Sequence, residues 1–343
     1  MTKMHVFLML FASFTYAALY VLSKRKSLDA RFLCDPTSQV GSGYWSPSSD
    51  RFYAIPCCSG QFAGECKYPS SRLKMKIGAK LVRTFQGMQD TYSRYFGHTC
   101  KCKVPLQMEW IPHMCKLLDF DGKLFCKLLR NRTVLFIGDS TMEQSAAALI
   151  NVIHFDKGGC ETSITHALSD TLVMSPKTFA PQDRGLYWLD WVDIYEPSIV
   201  IMNVGAHIAP GVHNASVLQY TEIMHQVKKD YSNRSNEFEL IWKTMNPGGC
   251  SKKPNVDIDW STRAIRYGEQ YARYDEFDKI AISILGPSVP VLDVSPLSKR
   301  GDAHPSSNGA AFQSAIDCLH FCSPGPLTFV ARILQQHFFM SQS

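Results

Sequence analysis

The fold of this chain is decided by VLFIGDS, the stretch Val134–Ser140. Four apolar residues suited to a buried strand lead into Gly-Asp-Ser, and a helical pattern follows at Thr141–Ile153. This order predicts a strand, a tight turn and a helix. Ser140 then lies where backbone N–H groups and the helix dipole stabilise a developing negative charge. Open α/β sheets bind their ligands at this edge.

Ser140 has two interpretations on this evidence. It is either a nucleophile or an ordinary N-cap serine on a structural helix. A nucleophile needs a base, and the motif Asp317-Cys318-Leu319-His320 offers one near the end of the chain. The imidazole of His320 would accept the proton of the Ser140 hydroxyl, and the carboxylate of Asp317 would fix the imidazole tautomer.

A second acid and histidine lie earlier, at Asp302-Ala303-His304-Pro305. Spacing of two directs these side chains apart in an extended chain, and Pro305 favours extended geometry at His304. We therefore expect Arg300 and Asp302 to form an ion pair that shapes a loop, with His304 supporting the site or lining a substrate loop. Two alternatives stay open: His304 is the base, or Asp302, His304 and His320 hold a hydrolytic metal.

The remainder of the chain predicts an α/β domain. Apolar runs indicate strands, which are Thr133–Ile137, Ser198–Asn203, Phe238–Thr244 and Val289–Val294. Helical patterns alternate with them and close the chain, at Thr141–Ile153, Val217–Lys229, Ser261–Ile284 and Leu327–Phe339. This alternation predicts a parallel sheet with helices on both faces. We divide the chain into a leader at 1–26, a Cys-rich, loop-rich module at 27–115 with one possible helix at Gly78–Tyr95, and a catalytic domain at 116–343.

The composition is that of a globular protein with many cysteines and without a clustered basic surface. The chain has 343 residues, is 45% hydrophobic and 19% charged, and carries a net charge of +6. The basic residues are scattered, which argues against a nucleic-acid site. Twelve cysteines without zinc-site spacing favour a disulfide framework in an oxidising compartment. No metal site is expected.

The N-terminus indicates the secretory pathway. The uncharged run Met4–Leu22 has Lys3 before it and a basic cluster after it, which fits either a membrane anchor or a cleaved signal peptide. We favour a single N-terminal span in the Golgi or another secretory lumen, with secretion as the alternative. Three glycosylation sequons fit a lumenal location, at Asn131, Asn214 and Asn233.

Several motifs resemble the trichome birefringence-like proteins and the wider PC-esterase group. They run from Trp110-Ile111-Pro112-His113-Met114-Cys115 through Phe120-Asp121, Phe125, Leu129-Arg130 and Val134–Gln144 to Arg300–Ser306 and Asp317–Gly325. Near the front, Cys34-Asp35 and Gly43-Tyr44-Trp45 are similar to the family's Cys-rich module. The resemblance covers about residues 33–326.

The resemblance implies a three-layer α/β/α sandwich of the SGNH or GDSL type and acyl-ester chemistry. It assigns the nucleophile to Ser140 and the acid–base pair to Asp317 and His320. It also implies that Asn203 and Gly205 help to form an oxyanion hole. Asp139 and Gln144 are expected to support the site from beside the nucleophile.

The resemblance also implies which cysteines pair. The positions that match are Cys34, one of Cys57 and Cys58, Cys66, Cys115, Cys250, Cys318 and Cys322. On this basis Cys318 and Cys322 are expected to be bridged to Cys250 and to the N-terminal module. The chain departs from the family pattern at Gly205-Ala206-His207, which has an extra residue between Gly and His, and in the segment Lys243–Cys250, which is shorter than in the plant proteins.

These features predict an O-acetyltransferase that acts on glycan hydroxyls through an acyl-serine intermediate. The alternatives are a carbohydrate acetylesterase with the same residues and a non-catalytic glycan-binding protein. We expect no tightly bound cofactor, an acetyl donor such as acetyl-CoA as co-substrate, and a membrane partner that supplies it. An aromatic group is either packing or a sugar platform, namely Tyr187, Trp188, Trp191 and Tyr195.

Overall fold

The computed structural model describes residues 33–36, 40–48, 75–77, 80–82, 108–160, 163–172, 187–210, 213–257, 268–304, 318–322 and 325–342. The strands of these regions are β1 Gly43–Pro47, β2 Met75–Ile77, β3 Lys80–Val82, β4 Met108–Pro112, β5 Val134–Gly138, β6 Ile164–Leu168, β7 Ile199–Met202, β8 Glu239–Lys243 and β9 Val291–Leu292. The helices are α1 Gly122–Leu129, α2 Ser140–Phe155, α3 Trp188–Tyr195, α4 His213–Arg234, α5 Gly268–Tyr271, α6 Tyr274–Leu285 and α7 Thr328–Met340, and a 3₁₀ segment spans Ser295–Ala303.

The central sheet is parallel and has the strand order β6-β5-β7-β8-β9. Its strands pair in a register that aligns Gly138 with Leu168, Ile137 with Met202, and Lys243 with Leu292. All five strands therefore end at the same edge. The loops that follow them share one rim, on which Ser140 lies.

Helices cover both faces of this sheet. Along β5, Phe136 packs in one core cluster with residues of α2 and α7, while Ile137 packs in a second cluster with residues of α3, α4 and α6. Successive side chains of a strand point to opposite faces, and a sheet buried on both faces needs apolar residues at every position. The predicted three-layer α/β/α sandwich is confirmed.

The structure differs from the sequence-based expectation at several elements. Strand β6 was not predicted because ITHAL places Thr165 and His166 in an edge strand, which weakens the apolar signal. The pattern expected as one helix at 261–284 is divided at residues 272–273 between α5 and α6. The helix expected at 78–95 is wrong at least where β3 pairs with β2.

The N-terminal strands pack directly on the α/β/α sandwich. Strand β1 pairs antiparallel with β4, which aligns Trp45 with Trp110. Both indoles are buried, and both contact the ring of Phe329 in α7. The Trp45 indole also donates to the carbonyl of Pro296, 2.9 Å away. The strand pair thus completes the core beneath the 3₁₀ segment.

Three disulfides join the described regions: Cys34–Cys115, Cys126–Cys160 and Cys250–Cys318. The expected bridge from Cys318 to Cys250 is confirmed, and Cys322 is disulfide-bonded as well. The Cys126–Cys160 bridge was not expected. Cys57, Cys58 and Cys66 lie outside the described residues, as does the N-terminal run 4–22.

The surface carries the three predicted sequons. Asn131, Asn214 and Asn233 are all exposed, so their glycosylation stays a prediction. Within the part of the chain that the structure describes, none of the helices has the length and apolarity needed to cross a bilayer.

A substitution of Gly138 by Ala tests the turn that presents Ser140. A Cβ atom at Gly138 would lie 2.3 Å from the backbone oxygen of Asn203, and the glycine has a φ of +157°. We expect G138A to lower the free energy of unfolding by about 3 kcal/mol or more, since backbone must move. Urea denaturation measures this loss.

Gly159 provides the control, because it has a φ of +87° but nothing within 4 Å of an added Cβ. G159A should show a backbone penalty of about 1–2 kcal/mol without the clash. Equal losses for G138A and G159A would contradict the close approach at Gly138.

Candidate active site

Ser140 is the first residue of α2 and follows strand β5 directly. The carboxylate of Asp139 caps the helix, since its Oδ1 accepts from the backbone N–H and the hydroxyl of Thr141 at 2.8 and 2.7 Å. Asp139 is fully buried, whereas Ser140 is partly exposed. The cap fixes the turn, and the serine hydroxyl faces the rim.

His320 meets Ser140 across 180 residues of sequence, with Nε2 of the ring 2.8 Å from Oγ of the serine. Both residues are partly exposed. The 2.8 Å between Oγ and Nε2 is a hydrogen-bonding distance, as a nucleophile and its base require. The third residue of the expected triad, Asp317, lies outside the described residues, so its role stays a prediction.

The segment that carries His320 has no regular secondary structure, but hydrogen bonds from other parts of the chain fix its backbone on both sides of His320. Gln144 on α2 donates its Nε2 to the carbonyl of Phe321 and accepts the Phe321 N–H on its Oε1, both at 3.1 Å. The N–H of Cys322 donates to Ala303 at 2.7 Å, and the carbonyl of Cys318 accepts from Gly249 at 2.6 Å. Gln144 thus fixes the backbone beside His320, and its role in supporting catalysis stays a prediction.

His304 supports the same segment from below. Its Nδ1 donates to the carbonyl of His320 at 2.7 Å, and its ring stacks on Phe321 with centroids 4.3 Å apart. The expected ion pair is present, with Arg300 Nε 2.9 Å from Asp302 Oδ1, and both side chains are buried. Of the two candidate bases, His320 is therefore the one that contacts the Ser140 hydroxyl. His304 contacts the backbone of His320 instead.

The Arg300 guanidinium links this loop to the N-terminal strands. It lies over the indole of Trp45, 5.3 Å from the ring centroid. Asp302 faces it with both carboxylate oxygens, as expected of an ion pair. In the described ranges, no three His, Cys, Asp or Glu side chains are grouped to hold a metal ion.

Asn203 and Gly205 follow β7 on the same rim. Asn203 is fully buried and donates one N–H of its amide to the carbonyl of Lys243 at 2.7 Å, which leaves one amide N–H for another acceptor. Burial lowers the pKa of Lys243 to about 8, and its ammonium donates to Thr244 O and Asn246 Oδ1. The oxyanion roles of Asn203 and Gly205 stay a prediction.

His166 is a site residue that the sequence analysis did not identify. It lies in β6 and its Nε2 donates to the carbonyl of Gly138 at 3.3 Å. Burial lowers the pKa of His166 to about 4, so the ring is neutral at pH 7. The sequence carried no signal for this role, because strand β6 itself was not predicted.

Two members of the aromatic group, Trp188 and Trp191, are packing, whereas Tyr187 and Tyr195 are partly exposed. Trp188 and Trp191 are buried, and Trp188 packs edge-on against Phe238. The Trp191 indole donates to the carbonyl of Leu168 at 3.1 Å, which holds the end of β6.

Comparison with known proteins confirms the resemblance seen in the motifs. The chain is 23% identical over 301 residues to xyloglucan O-acetyltransferase 1 of Populus trichocarpa, covering 65% of this chain and 69% of that protein. It is 25% identical over 276 residues to protein trichome birefringence-like 38 of Arabidopsis thaliana, covering 64% and 70%. No family model matches. An acetyl xylan esterase structure aligns with a TM-score of 0.38 at 14% identity, covering 60% of this chain and 98% of that one.

Substitution of Gln144 by Ala should lower ester turnover of the folded protein as well as its stability. The Gln144 amide makes two hydrogen bonds to Phe321, and their loss frees the segment that carries His320. We expect turnover to fall about tenfold or more, equivalent to about 1.4 kcal/mol. Turnover of Q144E should fall at least as far as that of Q144A, because a buried carboxylate accepts from the Phe321 N–H but repels the Phe321 carbonyl oxygen. Steady-state hydrolysis of p-nitrophenyl acetate measures both.

Gln335 on α7 is the matched control, since its amide also makes two backbone bonds, with Asp121 N and Asp119 O. Q335A should lose about as much stability as Q144A, about 1–3 kcal/mol, and keep turnover. Equal losses of turnover in Q335A and Q144A would contradict a positioning role for Gln144.

The lowered pKa of His166 predicts a pH dependence of stability. The unfolded chain binds a proton at this histidine near pH 6.5, whereas the folded chain does so near pH 4. The stability that the neutral ring contributes is complete above pH 6.5 and is lost as the pH falls toward 4, by roughly 3 kcal/mol. Urea denaturation of H166Q at pH 7 and pH 5 should show a smaller difference than the unchanged protein. Identical differences in the two proteins would argue against this origin.

Proposed function

We propose that this chain transfers an acetyl group to a hydroxyl of a polysaccharide through an acyl-enzyme on Ser140. The observation that carries the proposal is the 2.8 Å approach of Ser140 Oγ to His320 Nε2 at the carboxyl edge of the sheet. The expected enzyme class, an acyltransferase or esterase, agrees with the names of the relatives.

The first half-reaction forms the acyl-serine. Nε2 of His320 accepts the hydroxyl proton as Ser140 Oγ attacks the carbonyl carbon of the acetyl donor. The tetrahedral intermediate then collapses, and His320 returns the proton to the leaving group. Asp317, next to Cys318 in the sequence, is proposed to hold the imidazole in the required tautomer.

The developing oxyanion forms beside the amino end of α2. The helix dipole favours negative charge there, and the cap by Asp139 keeps the turn fixed. Asn203 and Gly205 are proposed as further donors, with an expected contribution of about 3–4 kcal/mol for each well-placed donor. The carbonyl of Lys243 holds the Asn203 amide and orients it.

The second half-reaction decides between transferase and esterase. An acceptor hydroxyl loses its proton to His320 and attacks the acyl carbon, which releases Ser140. A glycan hydroxyl gives transfer and water gives hydrolysis with the same residues. We favour transfer to a polysaccharide because xyloglucan O-acetyltransferases 1 and 2 are among the relatives.

The compartment and the donor belong to the proposal as well. The described cysteines are disulfide-bonded, which supports an oxidising lumen. We place the catalytic domain in the Golgi or another secretory lumen on an N-terminal membrane span. Acetyl-CoA, or a membrane partner that passes its acetyl group, would supply the donor.

Substitution of Ser140 by Ala tests the nucleophile. We expect the unchanged protein to gain one acetyl group on the peptide that carries Ser140 after brief exposure to p-nitrophenyl acetate. S140A should gain none, and its turnover should fall about 10³-fold or more. Mass spectrometry of the quenched protein measures the adduct.

Ser145 supplies the control, because it lies on the same helix and donates its hydroxyl to the Thr141 carbonyl. S145A should acylate normally. An acetyl adduct on S140A, or full turnover by it, would refute the mechanism. Acetate as the sole product in the presence of oligosaccharide acceptors would identify an esterase, and an absence of adduct in the unchanged protein would favour the non-catalytic alternative.

A further inference from the structure

An acid and a histidine form a bridge across the end of β5, outside the residues assigned so far. Asp170 lies in the loop after β6, and His207 lies in the loop after β7. Nε2 of His207 is 3.4 Å from Oδ1 of Asp170. These strands are the two neighbours of β5, so the pair connects loops that would otherwise lie apart.

The strand order places this bridge beside Ser140. Adjacent strands are about 4.8 Å apart, so β6 and β7 are separated by about 10 Å with β5 between them. A contact between side chains that follow β6 and β7 must therefore pass over the carboxyl end of β5. Ser140 emerges from that end.

Backbone contacts fix both sides of the bridge to the same turn. Ser169, next to Asp170, donates its N–H to the carbonyl of Gly138 at 2.9 Å. On the other side, the backbone oxygen of Asn203 lies against the Cα of Gly138, within 2.3 Å of where a Cβ would stand. Gly138 immediately precedes Asp139 and Ser140, so the bridge and the nucleophile share one support.

Exposure distinguishes this pair from an ordinary surface contact. The side chain of Asp170 is 8% exposed and that of His207 is 35% exposed, so a buried carboxylate orients a ring that faces solvent. In the pair His213–Glu276 both side chains are about half exposed, at 54% and 44%. A carboxylate at Nε2 fixes the neutral imidazole in the tautomer that carries its proton on that nitrogen. In this tautomer Nδ1 is an acceptor for the proton of a hydroxyl.

We propose that His207, oriented by Asp170, binds the acceptor hydroxyl and holds it toward the acyl group on Ser140. This inference rests on the proposed function and names a residue that binds the acceptor glycan. In the second half-reaction the acceptor oxygen bonds to the acyl carbon, the bond from that carbon to Ser140 Oγ breaks, and the hydroxyl proton passes through His320 to Ser140. His207 hydrogen-bonds the acceptor and exchanges no net proton.

The two half-reactions can be measured separately, which makes the inference testable. The burst of p-nitrophenol from p-nitrophenyl acetate reports acylation. The ratio of acetylated xyloglucan oligosaccharide to free acetate reports the competition between glycan and water for the acyl-enzyme. We expect H207A to keep the burst within about twofold and to lower the transfer-to-hydrolysis ratio about tenfold, equivalent to about 1.4 kcal/mol. H207Q, whose amide oxygen can still accept from a hydroxyl, and D170N should show smaller decreases.

His337 provides the matched control. Its Nε2 lies 3.2 Å from Oε1 of Glu239 at the start of β8, so this histidine–carboxylate pair is at the opposite edge of the sheet. H337Q should leave both the burst and the product ratio unchanged, even if it lowers the melting temperature. Melting curves of all variants separate misfolding from a specific effect.

Four outcomes overturn the inference, and they differ from one another. An unchanged product ratio in folded H207A shows that His207 does not bind the acceptor. Loss of the burst in folded H207A places His207 in acylation instead. Acetate as the sole product of the unchanged protein removes the glycan acceptor but leaves the acyl-serine. A missing burst in the unchanged protein refutes the proposed function itself, and the assignment of His207 falls with it.

Discussion

The two hydrogen bonds between the Gln144 side chain and the backbone of Phe321 are the constraint on which the candidate site depends. His320 belongs to a segment without helix or strand, so no regular hydrogen-bond ladder fixes its position. Gln144 lies one helical turn after Ser140 on α2 and holds the residue next to His320. Helix α2 therefore positions both the nucleophile and its base, although 180 residues separate them in sequence.

The remaining supports of His320 come from parts of the chain that are distant in sequence. The disulfide to Cys250 ties Cys318 to the loop after β8, and His304 holds the carbonyl of His320. Below His304, the buried pair Arg300–Asp302 meets Trp45 of β1. The N-terminal strands thus belong to the framework of the site, because the Trp45 ring gives the buried guanidinium of Arg300 a cation–π contact.

Buried polar groups organise the rim below these residues. His166 and Ser169 both donate to the carbonyl of Gly138, and Asn203 is held by the carbonyl of Lys243. In a low-dielectric interior such groups are costly unless they are bonded, which restricts the rim to few arrangements. The serine turn is rigid for this reason, and catalytic geometry requires that rigidity.

The sequence by itself determined the parallel sheet, the turn at Ser140 and the ion pair of Arg300 with Asp302, since each is encoded by neighbouring residues. Strand β6 was missed because two of its five residues are polar, and burial identifies Trp188 and Trp191 of the aromatic group as packing. The sequence offered both His320 and His304 as partners of Ser140, and tertiary structure decided that His320 contacts it. Tertiary structure also decided that Gln144 meets Phe321 and that Asp170 meets His207. Local patterns specify strands and turns, but contacts between distant residues follow from strand order, which brings separate loops to one edge of the sheet.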